Sequence, residues 1–123
     1  MMSRFLTASL TLAVSFSLRA DTTAWLDTFD LSTMSCGWNK PNAKKTVDGH
    51  PLTLNGKVFE RGVGTHADSW FTLEANGAAL SFEAWVGVDD EELSRGKGTV
   101  VFRVYADQKI VADSGIVRAG KPA

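Results

Sequence analysis

The chain has 123 residues, a formal net charge of −1 and a single cysteine, Cys36. A near-neutral balance gives no electrostatic basis for binding nucleic acid or an anionic membrane surface, and one thiol cannot close an internal disulfide. The length suffices for one domain with one hydrophobic core.

MMSR opens the chain with positive charge, FLTASLTLAVSFSL follows as an apolar run, and LRA precedes Asp21. A run that short cannot span roughly 30 Å of bilayer as a helix. The three parts in that order read as a secretory signal peptide over residues 1–20, which predicts a secreted, periplasmic or cell-surface protein without membrane insertion. Residues 21–123, the mature domain, read as strands and turns. LTLNGKVFE sets Asn55-Gly56 between two β-rich runs, the pattern of a two-residue hairpin. Asp48-Gly49-His50-Pro51 and Asn76-Gly77 mark further turns. In LSFEAWVGV, Leu80, Phe82, Ala84, Val86 and Val88 share one face, while Ser81, Glu83 and Trp85 share the other; the first set predicts core. Acids at Asp89, Asp90, Glu91 and Glu92 end that strand, and SRGKG follows as a basic loop. GTVVFRVYADQKIVADSG alternates again, with Val100, Phe102 and Val104 on one face, then turns at Asp107-Gln108 and returns through Ile110 and Val111. Short strands at regular spacing with no amphipathic helix predict an all-β antiparallel β-sandwich. No closing strand is evident after SGIVRAGKPA, which predicts a C-terminally incomplete fold whose unpaired sheet edge is open to association.

Four blocks stand in a telling order: GW at Gly37-Trp38, DGHPLTLNGKVFERGVGTHADS, FEAWVGVDDE, and RGKGTVVFRVYADQKIVADSG. Together they closely resemble the NPCBM domain, a carbohydrate-binding module associated with glycoside hydrolase family 98 and overlapping carbohydrate-binding module family 51. The likeness runs from Trp25 to Gly120. It implies a galactose-binding-like jelly roll that holds glycans, often galactose-containing ones, and is attached to a glycosidase. Members of that family continue past the end of this chain with further strands and an acidic segment; contacts housed there are not carried over.

The residues themselves argue against catalysis. A glycosidase holds two carboxyls across the scissile bond at a defined separation, whereas adjacent acids on a strand alternate faces. Ser69 and Ser114 lie in no nucleophile-elbow pattern. Two histidines without an HxxxH or CxxC set make a poor zinc site. Asp89 and Asp90 have two readings: a loop whose first Asp caps backbone amides, or a calcium site, since a carboxylate-rich loop suits a hard cation. His66, in GVGTHA, is expected to be a buried hydrogen-bonding residue that joins strands, with Asp89 a candidate partner; direct sugar contact is the competing role. Gly62 and Gly64 would let it approach its neighbours. Sugar recognition needs an aromatic ring for the apolar C–H face and planar polar groups for the hydroxyls. GWNKPNAKK supplies Trp38, Asn39 and Asn42, so Trp38, Asn39 and His66 are the candidate ligand-binding residues, whereas Trp70 and Trp85, on strands, are expected to pack. Two functions compete: a non-catalytic glycan-binding module, and a structural or protein-interaction domain of the same fold that does not bind sugar.

Overall fold

The structure, a computed structural model, describes residues 2–6, 10–18, 22–74, 79–95 and 98–121. Among them there are strands and short 3-10 turns but no α-helix, so the protein is all-β. The strands are β1 (Met2–Leu6), β2 (Leu10–Leu18), β3 (Thr22–Trp25), β4 (Asn42–Ala43), β5 (Leu52–Leu54), β6 (Lys57–Phe59), β7 (Val63–Thr65), β8 (Ser69–Leu73), β9 (Ala79–Val88), β10 (Thr99–Ala106) and β11 (Lys109–Arg118). One sheet has the order β11-β10-β1-β8. In the other, β2 pairs with β9 along one side and with both β3 and β7 along the other, and β4 adds to β7. The β5–β6 hairpin forms a third, two-stranded sheet.

The segment that reads as an export signal thus supplies β1 and β2, its apolar run forming the end of β1 and all of β2. Composition cannot separate the two outcomes, because a short uncharged apolar stretch satisfies both a leader and a strand interior to a sheet.

Side chains from both large sheets meet in one core: Val63 of β7, Val88 of β9, Phe71 of β8, and Val100 and Phe102 of β10, joined by Leu26 and Met34 from the connecting segment. Removing each from water contributes about 1.5–3 kcal/mol. The alternation expected in β9 is present: Phe82, Val86 and Val88 pack inward and Ser81, Glu83 and Trp85 are exposed, although Ala84, on the inward face, is also exposed. The side chain of Leu80 and the turn at Asn76-Gly77 lie outside the described residues. Both other hairpin turns form where the sequence places them. Asn55 and Gly56 have φ of 48° and 81°, and Asp107 and Gln108 have 49° and 68°, the left-handed pair that a tight two-residue turn requires. The acids that end β9 enter a 3-10 turn, Asp90–Arg95. No described helix is long and apolar enough to cross a membrane.

Candidate functional site

Two motifs distant in sequence are stitched together at one edge of the molecule. The segment Ser35–Trp38 runs alongside Thr65–Trp70 through two main-chain links and one to a side chain. Ser35 N–H donates to the Trp70 carbonyl at 3.0 Å, Gly37 N–H to the His66 carbonyl at 2.9 Å, and Trp70 N–H to the Ser35 hydroxyl at 2.8 Å. A Cβ on Gly37 would lie 1.6 Å from the Ala67 carbonyl oxygen, so only glycine permits this approach. The same holds for Gly64, where a Cβ would stand 2.2 Å from the Lys45 carbonyl oxygen. Beneath the seam, Thr65 and Ser69 share a 2.7 Å hydroxyl contact and Ser69 donates to the Ser35 carbonyl at 2.5 Å. The half-buried Cys36 thiol donates to the Trp38 carbonyl at 3.1 Å and accepts from His66 N–H at 3.3 Å.

Trp38 emerges from this seam 54% exposed, and the His66 ring meets it edge-on, with centroids 5.9 Å apart and an interplanar angle of 62°. His66 is half-buried rather than buried, and its ring bonds the Ala67 carbonyl through Nδ1 at 2.9 Å, not Asp89. A carbonyl only accepts, so Nδ1 carries the proton, and in the neutral ring Nε2 is the acceptor. Asn39, at φ 60°, gives its amide to the Val47 carbonyl at 3.2 Å, and Asn42 gives its amide to the Thr46 carbonyl at 3.1 Å. These amides brace the loop that presents Trp38. A cavity of about 360 Å³ adjoins that loop, lined in part by Met34, Cys36, Asn39 and Lys40.

The acids of the β9 end do a different job. Asp89 is buried and accepts from Thr53 N–H at 2.8 Å and Glu91 N–H at 3.1 Å; Asp90 accepts from Asn55 N–H at 2.9 Å and Gly56 N–H at 2.8 Å. Each of the four carboxylate oxygens thus takes a backbone amide, and the pair anchors the β5–β6 hairpin. Beside them, His50 Nδ1 is 3.0 Å from Glu91 Oε2, with Asp48 close by, and the Glu91 carboxylate raises the His50 pKa above its ordinary 6.5.

The seryl hydroxyls take structural roles. Ser69 bonds Ser35 and Thr65, and Ser114 donates to the Gly115 carbonyl at 2.7 Å while accepting from Phe102 N–H at 2.9 Å. Trp70 and Trp85, expected to pack, are 52% and 59% exposed. The alternation that turns Phe71 and Phe82 inward turns these two outward, a signal the sequence already held.

The seam is built from two of the blocks that carry the family likeness, GW and GVGTHADS, and the comparisons with known proteins bear on the same likeness. The sequence model of the NPCBM/NEW2 domain matches residues 22–123. The chain is 36% identical over 74 residues to Alpha-1,3-galactosidase B of Akkermansia muciniphila, an alignment covering 58% of this chain and 9% of that protein. Over 99 residues it is 30% identical to a Renibacterium salmoninarum protein named "Putative endo-alpha-N-acetylgalactosaminidase", covering 76% of this chain and 6% of that one. The chain therefore spans less than a tenth of the length of either relative. No solved structure matches it. With the family's blocks present in order and its model matching from β3 to the end of the chain, this protein belongs to the NPCBM/NEW2 domain family, carbohydrate-binding modules found in glycoside hydrolases.

Proposed function

We propose that the protein is a non-catalytic module that binds galactose-containing glycans through the edge carrying Trp38 and His66. The observation that supports this most directly is the exposed Trp38 indole, held on a glycine-dependent seam with the His66 ring beside it. An indole takes the C–H face of a pyranose, while an imidazole acceptor and the braced Asn39 suit its hydroxyls. Galactose as the recognised sugar rests on the names of the two enzyme relatives, both of which carry galactose-type residues in their stated substrates. In this reading the two large sheets close as a jelly-roll sandwich and the module serves a glycoside hydrolase.

A glycan-array screen of the purified protein tests the proposal. Galactose-terminated glycans should be retained, and Trp38→Ala should lose them without lowering the melting temperature. Retention of no glycan at all would sink it. A second reading, an interaction module without sugar binding, draws on β11: it is an edge strand, and Ile110, Val111 and Ile116 stand exposed along it. An array-negative protein that self-associates would favour that reading.

A further inference from the structure

A second aromatic site lies away from the Trp38 edge. A groove of about 590 Å³ runs between the β5–β6 hairpin and the outer face of β9, lined chiefly by Trp25, Lys57, Phe59, Arg61, Glu83 and Trp85. That volume falls in the range of roughly 300–1,000 Å³ typical of ligand pockets. The strand register explains why both indoles face it. Trp25 pairs with Ser15 of β2 and Trp85 pairs with Ala13, so the two tryptophans flank β2 at positions of the same parity and project from the same face. They sit two strand spacings apart, about 10 Å, and are offset by two residues along the strands. That exceeds the roughly 4.5–7 Å over which aromatic rings stack, so neither indole covers the other. Trp25 is 37% exposed and Trp85 59%.

The polar groups are arranged around these rings. The Arg61 guanidinium lies over the Trp25 ring at 5.0 Å, and buried Asp27 grips it through Nε at 3.0 Å and Nη2 at 2.5 Å, so its position is fixed. The Lys57 ammonium stands 5.0 Å from the Phe59 centroid and 5.8 Å from that of Trp85, and makes no ion pair among the described residues. Glu60 and Glu83 complete the lining with acceptors. Separated indoles interleaved with both donors and acceptors, in near balance of charge, suit a ligand with alternating apolar faces and hydroxyl edges better than a purely apolar peptide or an anion.

We propose that this groove is a second carbohydrate subsite, seating separate pyranose rings of one oligosaccharide on Trp25 and Trp85, with Lys57, Arg61 and Glu83 hydrogen-bonding the hydroxyls. The proposal rests on the carbohydrate-binding reading above and adds a site independent of Trp38. The four tryptophans give four indole N–H resonances, which can be followed in the full chain as lactose, and then a galactose-terminated tetrasaccharide, is added. The Trp25 and Trp85 signals should move together with the tetrasaccharide. Trp85→Ala and Lys57→Gln should each weaken it by about tenfold or more, as loss of an anchoring contact does, while Trp38→Ala leaves this response in place. Lys57→Gln, a surface change, keeps the test valid should Trp85→Ala fail to fold. Shifts confined to Trp38, with affinity unchanged in both groove variants, would overturn the second subsite and leave the proposed function standing. Absence of any shift in the parent protein with either sugar would overturn both.

Discussion

Gly37 shows how one residue type can decide a site. Its missing Cβ lets the Trp38 loop lie against the Ala67 peptide, and any side chain there must displace backbone rather than a flexible tip. Gly37→Ala should cost about 1–3 kcal/mol, the usual range for overpacking, and should also weaken glycan binding; thermal melting with a parallel binding titration checks both. Asp27 is the second decisive residue. Its fully buried carboxylate serves Arg61 twice and Gly62 N–H once, at 2.7 Å. Breaking a buried pair from one side typically costs 3–5 kcal/mol, but Arg61 is one-third exposed and can regain water. Asp27→Ala should therefore fall near the lower end, about 3 kcal/mol, as read by denaturant unfolding.

Hairpins are where local chemistry and tertiary anchoring meet. The Asn55-Gly56 turn carries its own signal, yet the β5–β6 hairpin is held to the body by Asp89 and Asp90. The same corner carries the His50–Glu91 pair, faced also by Asp48 and Asp89, all of which favour the charged imidazole. Because the folded pKa lies above 6.5, the pair's contribution is fully present below that pH and is lost as pH rises through the raised folded value. The melting temperature should thus decline on raising the pH above 6.5, and His50→Gln should flatten that decline; an unchanged pH profile in the variant would refute the role. In the pairing of β11 with β10 the register slips between Val101 and Arg103 and between Val104 and Tyr105 of β10, and the Ser114 hydroxyl takes the Phe102 amide at the first irregularity. Irregularities of this kind blunt an edge strand, although the exposed isoleucines leave it sticky.

At the scale of the molecule, β1 lies between β8 and β10, and β2 lies between β9 and the β3–β7 row. If residues 1–20 are removed on export, strands β8, β10, β7, β9 and β3 each lose a neighbour, and unpaired backbone donors and acceptors invite another chain. A chain beginning at Asp21 should melt at a lower temperature than the full chain and self-associate in size-exclusion chromatography with light scattering. Equal melting temperatures and a monomer in both would show that the first two strands contribute little to the fold.

Much of this was legible from local pattern. Alternation in β9 and β10 made Phe82 and Phe102 inward-facing, and the Asn55-Gly56 and Asp107-Gln108 turns follow from residues that accept left-handed backbone. The order of four blocks identified the family. What alternation could not supply was the meaning of the outward face: it placed Trp85 outside, but only the register across β2 put it beside Trp25, because strand pairing joins residues sixty positions apart that no local period relates. Likewise, nothing local distinguishes acids that hold a cation from acids that hold a hairpin. The hairpin role of Asp89 and Asp90 became visible only in the folded arrangement, which brings the Thr53, Asn55 and Gly56 amides to them. His66 was separated from its expected partner partly by a local contact, the Ala67 carbonyl one residue along the chain, and partly by tertiary structure, which set the Trp38 ring beside it and bound Asp89 elsewhere.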